Sequence, residues 1–253
     1  MLDAFGLTDI GCERQLNEDR IVLDKEHNIF TVADGMGGQR GGDRAAEITV
    51  QIVEKYFQTN AGQTDITWPF GYDPTISTAQ NLMMAAIKLA NRSVRQEAET
   101  VAEYAGMGST IVAVYITGNT AVIGSVGDSR LYLYRGKTLT PITRDDSFIV
   151  RLVETGAITP AEAASHPMRN VLTDAVGSKE DVNVQIHELQ LADGDRLMLT
   201  SDGAHGVIDQ PSLRMILDSG NDIKSTVEEI IAEARRRGGP DNISCIIIEY
   251  TNL

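Results

Sequence analysis

Four times in this sequence an aspartate stands where an apolar, β-like run meets a turn. Asp34 ends the run in TVADGMGGQRGGD, Asp128 follows AVIGSVG, Asp202 follows LMLTS, and Asp241 in RGGPDN stands just ahead of SCIII. Gly35, Gly127, Gly203 and Pro240 are their immediate neighbours. Asp and Gly are ordinary turn residues, so one such pair signals only a turn. Four of them constrain the fold far more, because they are what loops converging on one edge of a sheet would carry. Short carboxylates on rigid turns suit hard divalent cations, which take oxygen ligands and keep several waters.

The first of these turns is also rich in glycine, with five between Gly35 and Gly42. That density suggests a phosphate cradle, yet both familiar patterns fail. A dinucleotide fingerprint starting from Gly35 and Gly37 needs a third glycine where Arg40 stands. A Walker A loop from Gly37 to Gly42 needs a following lysine and finds Asp43. Taken alone, the stretch is equally compatible with a plain glycine turn into a helix.

Charge narrows the partners. With 36 acidic against 22 basic residues, the 253-residue chain has a formal net charge of -14, so nucleic acid and anionic membrane surfaces are not expected partners. Cys12 and Cys245 stand far apart with no CxxC pair, which argues against a disulfide framework or a structural zinc site and for a reducing cytoplasm. Both are expected to act as small packed hydrophobes. MLDAFGLTDIGCER has no basic n-region or long apolar h-region, so no signal peptide is expected. The apolar runs near Ile111–Ile116 and Cys245–Ile248 are too short to span a bilayer.

Periodicity predicts strands at Ala4–Thr8, Arg20–Leu23 and Ile29–Ala33, then helices over Ala45–Phe57 and Thr78–Glu99. A meander follows: STIVAVYI and TAVIGSVG flank a GN turn, and RLYLYRGKTLTPI continues with a turn at Arg135–Gly136. Ser147–Ser165 reads as helix broken by Gly156 and Pro160. Late strands are expected at Gln185–Leu189, Arg196–Thr200 and Ile243–Tyr250, with a helix over Lys224–Arg237. Strand blocks with paired helices predict an α+β fold rather than βαβ alternation. No repeat or linker divides the chain, so residues 1–253 are expected to form a single domain.

Six short motifs, in order, carry a resemblance. RQLNEDR (Arg14–Arg20), VADGMGG (Val32–Gly38), MGST (Met107–Thr110), VGDSR (Val126–Arg130), SDG (Ser201–Gly203) and GGPDN (Gly238–Asn242) together resemble the metal-dependent PP2C-type protein phosphatases in their compact bacterial form. TGAITPAEAASHPMRNVLTDAVG (Thr155–Gly177) looks like that family's flap, placed at about 147–177. The resemblance implies a four-layer α-β-β-α sandwich of two antiparallel sheets flanked by helix pairs. It implies two Mn or Mg ions and hydrolysis of phosphoserine or phosphothreonine by a metal-bridging hydroxide, with no phosphoenzyme.

Residue roles follow from the same resemblance. Asp34 would bridge the two ions, the Gly35 carbonyl would bind one of them, and Asp202 and Asp241 would bind the other. Asp128 with Asp202 would form a third, weaker site. Asp19 would orient the reacting water from behind the ions, Asn242 would support Asp241, and Arg14 would grip the phosphoryl oxygens; Arg14, Asp19 and Asp34 thus form the expected catalytic group. Phosphorylated Ser/Thr proteins are the implied substrates, an opposing Ser/Thr kinase the implied counterpart, and a cytoplasmic monomer the implied state.

Three positions depart from the family pattern. Met36, Gln39 and Asp146 stand where relatives carry a histidine, which leaves the acid that protonates the leaving serine unassigned. His166 is expected to be structural or substrate-facing, and His205 to be an exposed turn residue. A catalytically weak or pseudophosphatase binding module is the alternative, but Arg14, Asp34, Asp202 and Asp241 are all retained. A sensor-linked phosphatase of the anti-sigma-antagonist type is disfavoured, since such proteins usually lack the flap.

Overall fold

Along Ile29–Met36 (β3) and Ile243–Tyr250 (β11), apolar side chains point both ways, and this stacks the molecule into layers. Phe30 and Val32 of β3 meet Ile246 and Ile248 of β11 in one buried cluster between two sheets. The alternate residues of β11, Ile243, Cys245 and Ile247, pack with helical side chains on the other face. A strand buried on both faces in this way belongs to the centre of a sandwich. The structure is a computed structural model, and it describes residues 1–37, 41–159, 162–163 and 166–252.

One sheet runs β1 (Leu2–Asp9), β11, β10 (Asp195–Thr200), β7 (Arg130–Arg135), β8 (Thr138–Pro141) and has five strands. The other, six-stranded, runs β2 (Asp19–Asp24), β3, β5 (Ile111–Thr117), β6 (Thr120–Val126), β9 (Gln185–Gln190), with the short β4 (Gly108–Ser109) beside β3. All pairings are antiparallel. Helices α1 (Gly41–Asn60) and α2 (Thr78–Thr100) cover the six-stranded sheet through Val53, Phe57, Met83, Ile87 and Val94. On the five-stranded sheet lie α5 (Gln210–Leu217) and α6 (Ile223–Arg236), packed through Leu213, Val227 and Ile230. This is the expected four-layer α+β sandwich. Among the described residues, no helix is long and apolar enough to cross a membrane.

Local signals explain most boundaries. Ser77 accepts from Gln80 N at 3.2 Å while its own N–H donates to Gln80 Oε1 at 2.8 Å, a capping box that starts α2 where periodicity predicted. Gly136 and Lys137 both have positive φ, so the β7–β8 turn sits one residue later than expected and has the twist that hairpins prefer. Of the broken helix expected over Ser147–Ser165, the described residues show α3 (Phe148–Glu154) and helical backbone again at residues 162 and 163: Ser147 caps the start of α3, and Gly156 at φ +70 takes the chain out of helical geometry, as expected of a break. Pro160 and Gln39 lie outside the described residues. Two short helices escaped periodicity, α4 (Asp202–His205) and α5, although Asp209 followed by Gln210–Pro211 is a readable helix start.

Candidate active site

Strand ends from both sheets deliver the acids to one edge of the sandwich. Asp34 lies near the end of β3 and is the register partner of Asp19, which opens β2. Asp128 follows β6 by way of Gly127, Asp202 opens α4 just beyond β10, and Asp241 precedes β11. A cleft of about 410 Å³ collects Arg14, Glu18, Asp34, Gly35, Asp128, Asp202, Asp241 and Asn242 in its walls. Residues 170 and 172–175, from the segment expected to be a flap, form another wall. That segment is tethered by bridges from Ser147 to Leu172 and from Ser109 to Val176.

Glycine is required where backbones nearly touch behind these acids. A Cβ on Gly35 would fall on the carbonyl oxygen of Gly42, and one on Gly203 on that of Asn242. Thr110 Oγ1 accepts from Asp34 N–H at 3.0 Å and lies 2.7 Å from Ser129 Oγ. The MGST and VGDSR motifs therefore meet as braces behind Asp34. Asn242 accepts from Glu18 N–H at 2.8 Å and donates to the carbonyls of Ile10 and Leu16, each at 3.0 Å. It clamps the Arg14–Glu18 loop, and its backbone N–H donates to Asp241 Oδ1 at 2.9 Å.

Burial, with mutual repulsion added to it, sets the electrostatics of the cleft. Burial, then the charges of Asp19, Asp202, Asp128 and Asp241, hold the Asp34 carboxyl well above the usual carboxylate range. Burial pushes Asp128 up to about 7, with Asp202 and Asp145 adding to it and Arg130 opposing. Asp19 is raised to about 7 by burial, against hydroxyl bonds from Ser244 and Ser201 that pull it down. Burial and Asp241 raise Asp202. Asp19 Oδ1 and Asp202 Oδ1 are buried without a hydrogen-bond partner. Among the described residues, no three His, Cys, Asp or Glu side chains are gathered tightly enough to chelate an ion as they stand. Asp241 is turned to Arg14 instead, Oδ2 to Nη2 at 2.7 Å.

Sequence reasoning missed Glu18. Its carboxylate lines the cleft and accepts from the N–H of Gly42 at the start of α1, and burial raises its pKa. The available signal was its place beside Asp19 in NED. His205 is half-buried rather than exposed: its Nδ1 lies 2.9 Å from Thr200 Oγ1, and burial with the nearby Arg130 lowers its pKa well below the usual value. Asp146 is occupied with Gly127 N–H at 3.1 Å and Gln185 Nε2 at 2.9 Å. Met36 lines the cleft but has no proton to give. Cys245 is fully buried as expected, whereas Cys12 is exposed.

This fold has counterparts among known proteins. The family model of protein phosphatase 2C matches residues 13–245. The chain belongs to the protein phosphatase 2C family. Within that family it is 31% identical over 245 residues to the protein phosphatase PhpP of Streptococcus pneumoniae, covering 96% of this chain and 95% of that one. It superposes on the serine/threonine phosphatase of S. agalactiae with a TM-score of 0.87 at 30% identity, covering 100% of both chains. Against the catalytic domain of the serine/threonine phosphatase PstP, solved with two manganese ions, the TM-score is 0.85 at 27% identity and 99% coverage of both chains. The protein phosphatase 2C fold thus accounts for both antiparallel sheets and their helix pairs.

Proposed function

We propose that this chain is a divalent-metal-dependent protein serine/threonine phosphatase, a single-domain enzyme whose cleft hydrolyses phosphoserine and phosphothreonine. One observation carries the reading. Among the described residues, the cleft sets six acids (Glu18, Asp34, Asp128, Asp174, Asp202 and Asp241) against one guanidinium, Arg14. Such a wall repels a phosphoryl group unless cations stand between them. Buried carboxylates that raise one another's pKa, with bare oxygens on Asp19 and Asp202, are the donor set that hard cations fit. Bound there, two Mn or Mg ions would supply positive charge for the phosphoryl oxygens and acidify the attacking water.

The roles proposed for the chain's own groups are these. Asp34 and the Gly35 carbonyl hold cations from the six-stranded sheet, and Asp202 and Asp241 hold them from the five-stranded one. Asp128 and Asp202 serve a third ion. Asp19 orients water from behind, Asn242 steadies Asp241, and Arg14 leaves Asp241 to grip the phosphoryl oxygens through charge-assisted bonds. As part of the same proposal, the chain acts as a cytoplasmic monomer that opposes a Ser/Thr kinase, the counterpart that serine/threonine phosphatase activity calls for. A non-catalytic binding module is not supported, since every acid it would be expected to lose is present.

The decisive experiment measures manganese-dependent release of phosphate from phosphoserine and phosphothreonine peptides and from a chromogenic phosphate. Hydrolysis should vanish on chelation and in Asp34→Ala and Asp202→Ala. Turnover that survives chelation or either substitution would overturn the reading.

A further inference from the structure

Asp19 and Asp34 belong to the six-stranded sheet, whereas Asp202 and Asp241 flank strands of the five-stranded one. Between the sheets lies an apolar layer of Phe30, Val32, Ile246 and Ile248. Apolar contact is non-directional and does not by itself set where one sheet edge stops against the other. A site assembled from both edges needs directional bonds that cross between them.

Such bonds meet at one atom. Ser201 Oγ and Ser244 Oγ, both from the five-stranded side, lie 2.7 Å from Oδ2 of Asp19. Asp19, Ser201 and Ser244 are each 0% exposed. A carboxylate only accepts, so each hydroxyl commits its one proton to it. The rest of the network follows from that commitment. Ser201 Oγ accepts from Ser244 N–H at 2.9 Å. Ser244 Oγ, 2.9 Å from Thr8 Oγ1, accepts the Thr8 proton, and Thr8 Oγ1 accepts from Asn17 Nδ2 at 2.8 Å. With both serines on Oδ2, the carboxylate cannot turn, and Oδ1 is left as its uncommitted oxygen. Asn242, a further polar link here, grips the backbone of the Arg14–Glu18 loop and not this carboxylate.

We propose that Ser201 and Ser244 are positioning residues that fasten Asp19 to the sheet carrying Asp202 and Asp241, and so hold the two halves of the cation site in register. The inference rests on the active-site reading above.

Calorimetric titration of chelator-stripped protein with Mn²⁺ tests it without measuring turnover. Ser201→Ala and Ser244→Ala should each weaken manganese binding about three- to tenfold, less than the full worth of a charge-assisted bond, roughly ten- to a hundredfold, because the serines act on the ions only through Asp19. Ser244→Thr, which keeps the hydroxyl, should stay within about twofold of the unaltered protein. In an Asp19→Ala background, Ser244→Ala should change the affinity by less than about twofold, because the partner it acts through is gone. Unchanged affinity in the two serine variants, or the same loss in the Asp19→Ala background, would overturn the inference while leaving the active-site reading intact. If Ser201→Ala fails to fold, the Ser244 series carries the test alone. Absence of manganese binding by the unaltered protein would overturn both.

Discussion

Arg14 Nη2 sits 2.7 Å from Asp241 Oδ2, which places the one guanidinium that lines the cleft among the described residues on one of its carboxylates. Half of the Arg14 side chain remains exposed, so the pair lies at the mouth, where a phosphoryl group must enter. The phosphoryl grip proposed for Arg14 would therefore compete with its bond to Asp241.

That competition predicts how its variants behave. Bonds to charged groups are worth about 1.5–3 kcal/mol, or roughly ten- to a hundredfold. Arg14→Ala should lower kcat/KM on a phosphoserine peptide by about that range. Arg14→Lys keeps the charge without the planar fork, so it should recover only part of the loss. Full activity in Arg14→Ala under steady-state assay would show that Arg14 does not grip substrate.

Asp34 should trade stability for function. It sits amid Asp19, Asp202, Asp128 and Asp241, which repel its charge. Asp34→Asn removes that repulsion, so the chelated protein at pH 8 should melt higher by about 2 °C or more, the shift expected for one kcal/mol in a chain this size. The same variant should lose the manganese-dependent rise in Tm that ligand binding confers. A lower Tm without metal, or an undiminished response to manganese, would contradict this account by thermal denaturation.

His205 should make the fold acid-sensitive. Its folded pKa is held well below the ordinary value of about 6.5, first by burial and then by Arg130. A depressed folded value means that its contribution is present above about pH 6.5 and is lost as pH falls toward the folded pKa. His205→Asn should give a flatter Tm-versus-pH curve between about pH 6.5 and 5 than the unaltered protein. Parallel curves would show that another group titrates there.

Gln39 lies outside the described residues, yet its chemistry permits a clear comparison. It cannot donate a proton at neutral pH, and neither Met36 nor Asp146 is placed to do so. General-acid help is worth about 10²–10⁴-fold to a poor leaving group. Gln39→His should speed hydrolysis of a phosphoserine peptide while leaving an aryl phosphate nearly unaffected. Equal changes on both substrates would exclude a leaving-group role.

Where strands run and turns fall was readable because those signals are local. The Ser77–Gln80 capping box lies within four residues, and the apolar run along Ile243–Tyr250 needs only its own side chains. α5 was missed because eight residues hold too few turns for periodicity to register. The break after α3, by contrast, was readable, since Gly156 marks it within the local sequence.

By itself the sequence determined which aspartates stand where strands meet turns, because an aspartate beside a glycine or proline next to an apolar run is written in consecutive residues. Tertiary structure alone decided how those side chains are held. Arg14 meets Asp241 across 227 positions, and Asp19 meets Ser201 and Ser244 across 182 and 225. The burial that keeps His205 neutral likewise arises only once Arg130 and Thr200 surround it. Hydrogen bonds and desolvation depend on which distant groups finally share a site, and no local pattern encodes that before the two sheets close on each other.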